Sequence, residues 1–345
     1  MSRYQDIMGH QGPIEQLERA RRGGRVAHAY LFHGPDGVGK QRVALAFAQA
    51  LNCGDAARAP CGECESCRKI ERFNHPDVRL VASEAHLVKA GLLELERGTP
   101  SLQIRNEQLA ELAALFRHRP YLGRTKVVLV VDAERLNESA QNRFLKTLEE
   151  PSADSVIILV TAHPEALLPT IRSRCQALVF GPLARSVVSR ALETERGLEP
   201  ERARVLAGMA HGSLGRALEL AEERIWDARD EAIEALARAR GGDLAALLEA
   251  AEAVGAGGAG RERLEGLLEL LELWLRDLLL CRLGVAESML INRDRSQQLR
   301  READGLAPGR LLRWLEKLRA TRGSLRANAN PRLALEGVLL EMRRA

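Results

Sequence analysis

The sequence has no long apolar run, and its first residues have no apolar segment. No stretch of the 345 residues approaches the ~20 apolar residues that cross a bilayer. The opening MSRYQDIMGHQG lacks the apolar core of a secretory signal peptide. We therefore expect a cytoplasmic protein with no membrane partner.

Aromatic residues are scarce, and the net charge is small. Only twelve residues are aromatic, so the cores must be built mainly from aliphatic and alanine side chains. The formal charge of +4 does not by itself indicate a nucleic-acid-binding protein. A length of 345 residues with 46% hydrophobic content is enough for two or three domains.

A glycine-rich segment, residues 34–40, is the clearest sign of a binding site. Its sequence GPDGVGK lies between an apolar run and an amphipathic one, which predicts a strand, a turn and a helix. It matches the first seven positions of the phosphate-binding motif G-x-x-x-x-G-K. Lys40 supplies a positive charge, and the backbone N–H groups can face a phosphate where glycine frees the chain. The glycines concerned are Gly34, Gly37 and Gly39.

The eighth position of this motif departs from the pattern. Ser or Thr normally stands there, and its hydroxyl group holds Mg²⁺, but this sequence has Gln41. The loop is therefore expected to bind a nucleotide phosphate and to hold the metal for hydrolysis poorly. ATP is a candidate ligand that we do not expect this chain to hydrolyse.

Four of the six cysteines lie within fifteen residues of one another, at Cys53, Cys61, Cys64 and Cys67. Two overlapping C-x-x-C pairs and a fourth thiol can surround one tetrahedral ion, and zinc is the usual choice. Four thiolates leave no open coordination position, so the predicted zinc is structural. Four free cysteines in a loop are the alternative. His75 is either a substitute ligand or a turn residue.

Apolar runs alternate with amphipathic ones in the first half of the chain, and the second half is helical in pattern. Strands are predicted at 29–32, 78–82, 126–131, 156–160 and 177–180. The predicted fold class is α/β followed by all-α, with a five-stranded parallel sheet and a ligand site at the carboxyl ends of its strands. The predicted domains are 1–181, with a metal-binding insertion at 53–67, then 182–240 and 241–345.

The strand predicted at 126–131 ends in Asp132, where a carboxylate would reach a nucleotide-bound Mg²⁺. Many ATPases of this type carry a catalytic glutamate at the next position, but here it is Ala133. Glu134 follows one residue later, beyond the expected end of the strand. We do not expect it to replace the missing group.

Taken together, these motifs resemble the AAA+ subunits of the bacterial replicative clamp loader, part of DNA polymerase III. The resemblance rests on GPDGVGK, the four cysteines, NHPDV, DAERLN, QNRFLKTLEEP, Thr161 and Ser173-Arg174-Cys175. It covers the whole chain and is strongest over 1–182. It implies an AAA+ nucleotide-binding domain, a helical lid domain and a C-terminal helical collar for oligomerisation. It also places Asp132 and Thr161 with Gln41 at the nucleotide.

The same resemblance implies partners and one catalytic residue. Members of the family form a hetero-pentamer that includes gamma/tau and delta subunits, opens the sliding clamp and places it on primer–template DNA. Arg174 would reach the ATP site of a neighbouring subunit as an arginine finger; an arginine that merely ends a loop is the alternative. Arg105 would contact DNA phosphates.

The departures from the family pattern predict which kind of subunit this is. Gln41 and Ala133 replace two catalytic groups, and Gly215 stands where motor subunits have a second sensor arginine, with Arg216 one position late. Three groups that act in ATP hydrolysis are missing, which predicts a non-motor, stator-like subunit. It would be part of a nucleotidyltransferase complex, with little or no ATPase and no polymerase activity of its own.

Two other interpretations are kept. The first is an ATP-hydrolysing, gamma/tau-like motor subunit of the same loader. The second is a zinc-dependent nucleic-acid-binding module in residues 50–75. Basic residues favour the second interpretation, but acidic residues lie among them and no base-reading helix is evident. The basic residues are Arg58, Arg68, Lys69 and Arg72.

Overall fold

The chain forms two compact units. The computed structural model describes residues 3–94, 98–104, 108, 119–150, 152, 154–222, 225–241, 260–327 and 329–343. The first unit comprises 1–191 and 211–216, and the second comprises 192–210 and 217–345. The three-domain division stays a prediction, and residues 242–259, beside its second boundary, lie outside the described ranges.

The first unit contains one parallel sheet. Its strands follow the order β2-β3-β4-β1-β5, and every neighbouring pair is parallel. Each strand agrees with its predicted range to within one residue at either end. The predicted five-stranded parallel α/β sheet is therefore confirmed. The strands are β1 (Ala29–His33), β2 (Val78–Val81), β3 (Lys126–Val131), β4 (Ser155–Thr161) and β5 (Gln176–Val179).

The central strands are buried on both faces, because successive side chains of a strand point to opposite sides. On β3, Val127 and Leu129 belong to one apolar core, and Val128 and Val130 belong to the other. β3 and β4 are buried at every position. Their β-branched sequences suit a strand that is covered on both sides.

Helices cover the sheet and are capped by side chains where the chain turns into them. The Ser83 hydroxyl accepts a hydrogen bond from His86 N, and the Asn137 side chain accepts one from Ala140 N. The helices before β5 are α1 (Gln11–Arg22), α2 (Lys40–Asn52), α3 (Glu65–Glu71), α4 (Glu84–Lys89), α5 (Glu138–Glu149) and α6 (Pro169–Arg172).

After β5 the described chain has only helices and turns, as the all-α part of the prediction requires. In the second unit the fully buried carboxylate of Asp277 accepts hydrogen bonds from Ile291 N and Asn292 N. Among the described residues, no helix combines the length and apolar content needed to cross a membrane. The helices are α7 (Arg185–Arg196), α8 (Pro200–Met209), α9 (Leu214–Glu222), α10 (Ile225–Gly241), α11 (Gly260–Arg282), α12 (Ser296–Asp304), α13 (Pro308–Arg326) and α14 (Pro331–Arg343).

Candidate nucleotide-binding and metal-binding sites

The loop of residues 34–40 connects β1 to α2, and its backbone requires glycine. Gly34 has a φ of +146°, and a Cβ atom there would lie 1.9 Å from Phe180 O. Gly39 has a φ of +110° and immediately precedes α2. Side chains are strained in both conformations. The predicted glycine turn is therefore present, at a helix N-terminus where an anion is favoured.

Lys40 is buried in this loop, with 6% of its surface exposed. Its Nζ donates to Gly34 O at 2.6 Å and to Pro35 O at 2.7 Å, and lies 4.0 Å from the Asp36 carboxylate. Burial lowers the pKa of the ammonium group, although the charge of Asp36 opposes this. The lysine therefore satisfies carbonyl groups of its own loop.

Residues 212–216 contact the tip of the same loop. Gly215 N donates to Gly37 O at 2.8 Å, and a Cβ atom added to Gly215 would lie 3.0 Å from Gly37 Cα. A Cβ atom on Gly37 would lie 2.3 Å from Ser213 Oγ. The two backbones thus approach closely because both positions are glycine. Sequence reasoning identified Gly215 as a missing arginine and did not predict this contact.

Two acidic residues follow the carboxyl end of β3 beside the loop, and each has a partner. Asp132 Oδ2 lies 2.9 Å from His86 Nδ1, and the Thr161 hydroxyl donates to Glu134 Oε2 at 2.6 Å. Thr161 pairs in register with His33, the last residue of β1. Burial would raise the pKa of Asp132, but the hydrogen bond with His86 and the positive charges of His86, Arg135 and Lys40 together outweigh it, and the pKa is lowered.

Lys40, Asp132 and Thr161 lie at the same end of the sheet, and their role at a nucleotide stays a prediction. The ammonium group of Lys40 suits a phosphate, whereas the set of groups that would hold a magnesium ion is incomplete. Gln41 offers no hydroxyl group, and the carboxylate of Asp132 is engaged by His86. His86 and Glu134 were not predicted as members of the site, since nothing in their local sequence indicates partners far along the chain.

The four predicted cysteine ligands lie together, with all four sulfur atoms within 4.8 Å of one another. Sγ of Cys53 lies 4.0 Å from that of Cys64, and Sγ of Cys61 lies 3.9 Å from that of Cys67. A tetrahedral zinc ion with bonds near 2.3 Å separates its sulfur ligands by about 3.8 Å. The spacing fits one tetrahedral metal ion and is much longer than a disulfide bond.

Backbone N–H groups point at these sulfur atoms and stabilise negative charge on them. Cys61 Sγ accepts from Cys64 N at 3.3 Å and from Glu63 N at 3.4 Å. Burial alone would raise the pKa of Cys61, but these hydrogen bonds lower it to about 7. Burial raises the pKa of Cys67. The cluster therefore has N–H donors that stabilise thiolates, and a bound cation would neutralise the negative charge of those buried thiolates.

His75 is not one of the four ligands, because both ring nitrogens have partners elsewhere. Nδ1 accepts from Asp77 N at 3.1 Å, and Nε2 lies 3.2 Å from Ser66 Oγ. Burial lowers the pKa of this imidazole. The contacts agree with the interpretation of His75 as a turn residue.

Arg174 follows α6 and is partly exposed. Its guanidinium group donates to Thr170 O at 3.0 Å and lies 2.8 Å from the Glu149 carboxylate. The exposed fraction of the side chain is 37%. These contacts hold the arginine near the surface, at the C-terminus of α5.

The topology of the sheet separates Arg174 from the loop at residues 34–40. Arg174 precedes Gln176, which pairs with Tyr30 on β1, so it lies at the amino end of the sheet. Gly34 follows the carboxyl end of β1. Arg174 and the nucleotide-binding residues are therefore not brought together within the chain. Arg105, the predicted DNA contact, lies outside the described residues.

Two family models match the chain. The model described as "DNA polymerase III, delta subunit" matches residues 9–184, and "DNA polymerase III, delta subunit, C terminal" matches residues 223–344.

Individual relatives agree with the family models. DNA polymerase III subunit delta' of Bacillus subtilis is 35% identical over 205 residues, covering 58% of this chain and 57% of the relative. The Pseudomonas aeruginosa protein of the same name is 38% identical over 203 residues, covering 57% and 58%. The chain thus spans under two thirds of these relatives. A gamma subunit-related structure from Thermotoga maritima covers 95% of the chain at 19% identity, with a TM-score of 0.42.

Proposed function

Because the chain belongs to the DNA polymerase III delta family, as a delta-prime subunit of the clamp loader, we propose that it is the loader's non-motor, stator-like subunit. In this role it helps to place the sliding clamp on primed DNA. It assembles with gamma/tau and delta subunits in a hetero-pentamer, and it donates Arg174 to the ATP site of a neighbour.

The position of Arg174 is the observation that carries this proposal. The residue lies just before the amino end of β5, at the opposite end of the sheet from the chain's own phosphate-binding loop. Its guanidinium group is partly exposed, so a neighbouring subunit can approach it. A guanidinium group placed on the transferring phosphoryl group neutralises the charge that develops there. An arginine that cannot serve its own site is suited to serve another.

The chain's own loop supports a weak or absent ATPase. Gln41 and Ala133 lack the groups that hold Mg²⁺ and position the attacking water. Gly215 lies against Gly37, where an arginine side chain could not keep the same close contact. The loop keeps Lys40 and its glycines, so the proposal includes ATP binding without hydrolysis.

The four cysteines support a structural zinc ion. Cys53, Cys61, Cys64 and Cys67 would hold it, and four thiolates leave no position for a substrate. The ion would order the segment between α2 and α3.

The test is the ATP turnover of the reconstituted loader, stimulated by clamp and primed DNA, with Arg174→Ala in this chain. We expect the loader to assemble normally and its turnover to fall, because hydrolysis at the site that Arg174 completes should slow by about 10³-fold. The matched control is Arg172→Ala, because Arg172 is exposed and lies only two residues away. Unchanged turnover in an intact Arg174→Ala assembly contradicts the proposal.

One observation favours the motor alternative. The Glu134 carboxylate accepts a hydrogen bond from Thr161, so an acidic group lies one residue beyond the usual catalytic position and at the correct end of the sheet. If the purified chain hydrolyses ATP and Glu134→Gln abolishes that activity, the chain is a motor subunit. If the purified chain shows no turnover, the stator role is favoured.

A further inference from the structure

The turn that leads into β3 is held by two buried side chains. The Asp77 carboxylate accepts hydrogen bonds from the backbone N–H groups of residues 121–123, at 2.6 to 2.7 Å. Asn52 Oδ1 accepts from Arg124 N at 2.8 Å and from Thr125 N at 3.0 Å. Five consecutive N–H groups of a surface turn are therefore fixed from inside the protein. Such a turn keeps one conformation.

The fixed turn displays large apolar side chains to solvent. Tyr121 is 89% exposed and Leu122 is 43% exposed. Of the aromatic side chains that the structure describes, Tyr121 is the only one that is mostly exposed. Aromatic residues are scarce in this chain, so an exposed ring on a rigid turn is a feature of a binding surface.

Basic residues flank the ring in sequence, and no acidic residue occurs between 119 and 126. Arg119 and Arg124 are exposed on either side of Tyr121, and neither forms an ion pair with a described residue. Arg72 and Arg79, which lie close in sequence to the Asp77 anchor, are also exposed and without an ion pair in the described chain.

We propose that residues 119–124 form a binding site for single-stranded nucleic acid. A base stacks on the ring of Tyr121, and the guanidinium groups of Arg119 and Arg124 contact the flanking phosphates. An exposed aromatic ring flanked by cations that have no ion pair among the described residues suits the way in which proteins bind single strands without reading sequence. An acidic protein segment is the alternative ligand; it would pair with the arginines, but its carboxylates would not use the exposed aromatic ring.

The residues that anchor this turn are connected to the cysteine cluster. Asp77 N donates to His75, and the other nitrogen of His75 contacts Ser66, which lies between two of the cysteines. Asn52 immediately precedes Cys53. The anchors of the turn are thus attached to the cluster at two points. This arrangement preorganises the turn, so little ordering free energy opposes binding.

This inference rests on the proposed function in one respect: a clamp-loader subunit works beside primed DNA, which supplies the single strand. The binding itself is a property of the chain alone. We would measure the anisotropy of fluorescein-labelled dT20 with the full-length chain, without ATP or partner subunits, at several salt concentrations. Failure of clamp loading would appear in the ATP turnover of the assembled loader and not in this measurement.

Binding should weaken about 5- to 150-fold in Tyr121→Ala and stay close to wild type in Tyr121→Phe, which keeps the ring. Arg119→Gln and Arg124→Gln should each reduce the slope of log affinity against log salt concentration by about the amount of one phosphate contact. The matched control is Arg313→Gln, which removes one exposed charge in the second unit that has no ion pair in the described chain. Circular dichroism should show each variant folded, since all of these side chains are at the surface.

Three outcomes overturn the inference. The first is that the wild-type chain does not bind dT20, and the second is that Tyr121→Ala binds as tightly as wild type. The third is that Tyr121→Ala weakens assembly with purified partner subunits while its dT20 affinity is unchanged. That result would make the turn a protein contact.

Discussion

The buried carboxylate of Asp77 should be worth several kilocalories per mole, and Asp77→Asn tests this with little change in shape. In the wild type it accepts three short backbone hydrogen bonds. Asparagine has only one oxygen, so at least one N–H group would face an amide N–H group instead. Losing one charge-assisted hydrogen bond and weakening two others should lower the free energy of unfolding by about 2–4 kcal/mol.

The effect should depend on pH in a defined direction. Burial would raise the pKa of Asp77, but the three N–H groups outweigh it and the folded-state pKa is lowered. Its stabilisation is therefore present above the unfolded value of about 4 and is lost as pH falls through the lower folded value. Urea unfolding at several pH values should show the difference between the wild type and Asp77→Asn narrowing as the pH falls below about 4.

The matched control is Asp154→Asn, since Asp154 is exposed and asparagine also tolerates its positive φ of 59°. This variant should unfold within about 0.5 kcal/mol of the wild type. The reasoning is refuted if Asp77→Asn lowers the free energy of unfolding by less than about 0.5 kcal/mol, or if the decrease stays constant from pH 7 to pH 3.

Other substitutions test the cysteine cluster and the glycine loop. The purified chain should contain one zinc ion. Cys64→Ser should lose the ion and lower the Tm by roughly 5 °C or more, whereas Cys281→Ser should keep the ion and the wild-type Tm. Metal content by mass spectrometry and thermal melting decide this, and a metal-free wild-type chain contradicts it. Gly34→Ala should cost about 3 kcal/mol or more, because its Cβ atom would meet Phe180 O. Gly266→Ala, in a helix with open space around it, should instead stabilise by about 0.5–1 kcal/mol. Urea unfolding compares the two, and equal effects would contradict this account.

The sheet could be predicted because its strands are short, apolar and bounded by turn residues. Val127 to Val131 and Val156 to Val160 have side chains that suit strands covered on both faces, and their ends are set by polar residues. The glycine loop and the cysteine cluster were predictable for a related reason. Their chemistry depends on fixed spacings between neighbours in sequence.

The contacts that join distant parts of the chain could not be predicted in this way. Asp77 binds a turn more than forty residues away, and Gly37 contacts Gly215. Neither partner changes the local pattern of hydrophobic and polar residues, which is the only signal that periodicity carries. The role of NHPDV as the anchor of the Tyr121 turn appears only in the folded chain.

The central claim is that this chain completes the ATP site of another subunit, and one comparison tests it most directly. The kcat and KM for ATP of the reconstituted loader should be measured with Arg174, Arg174→Lys and Arg174→Ala. Lysine keeps the charge but lacks the planar fork of the guanidinium group. We expect kcat to fall strongly in both variants, and more in the alanine variant, with KM changed far less. If kcat stays within about twofold of the wild type in intact assemblies, Arg174 is not an arginine finger.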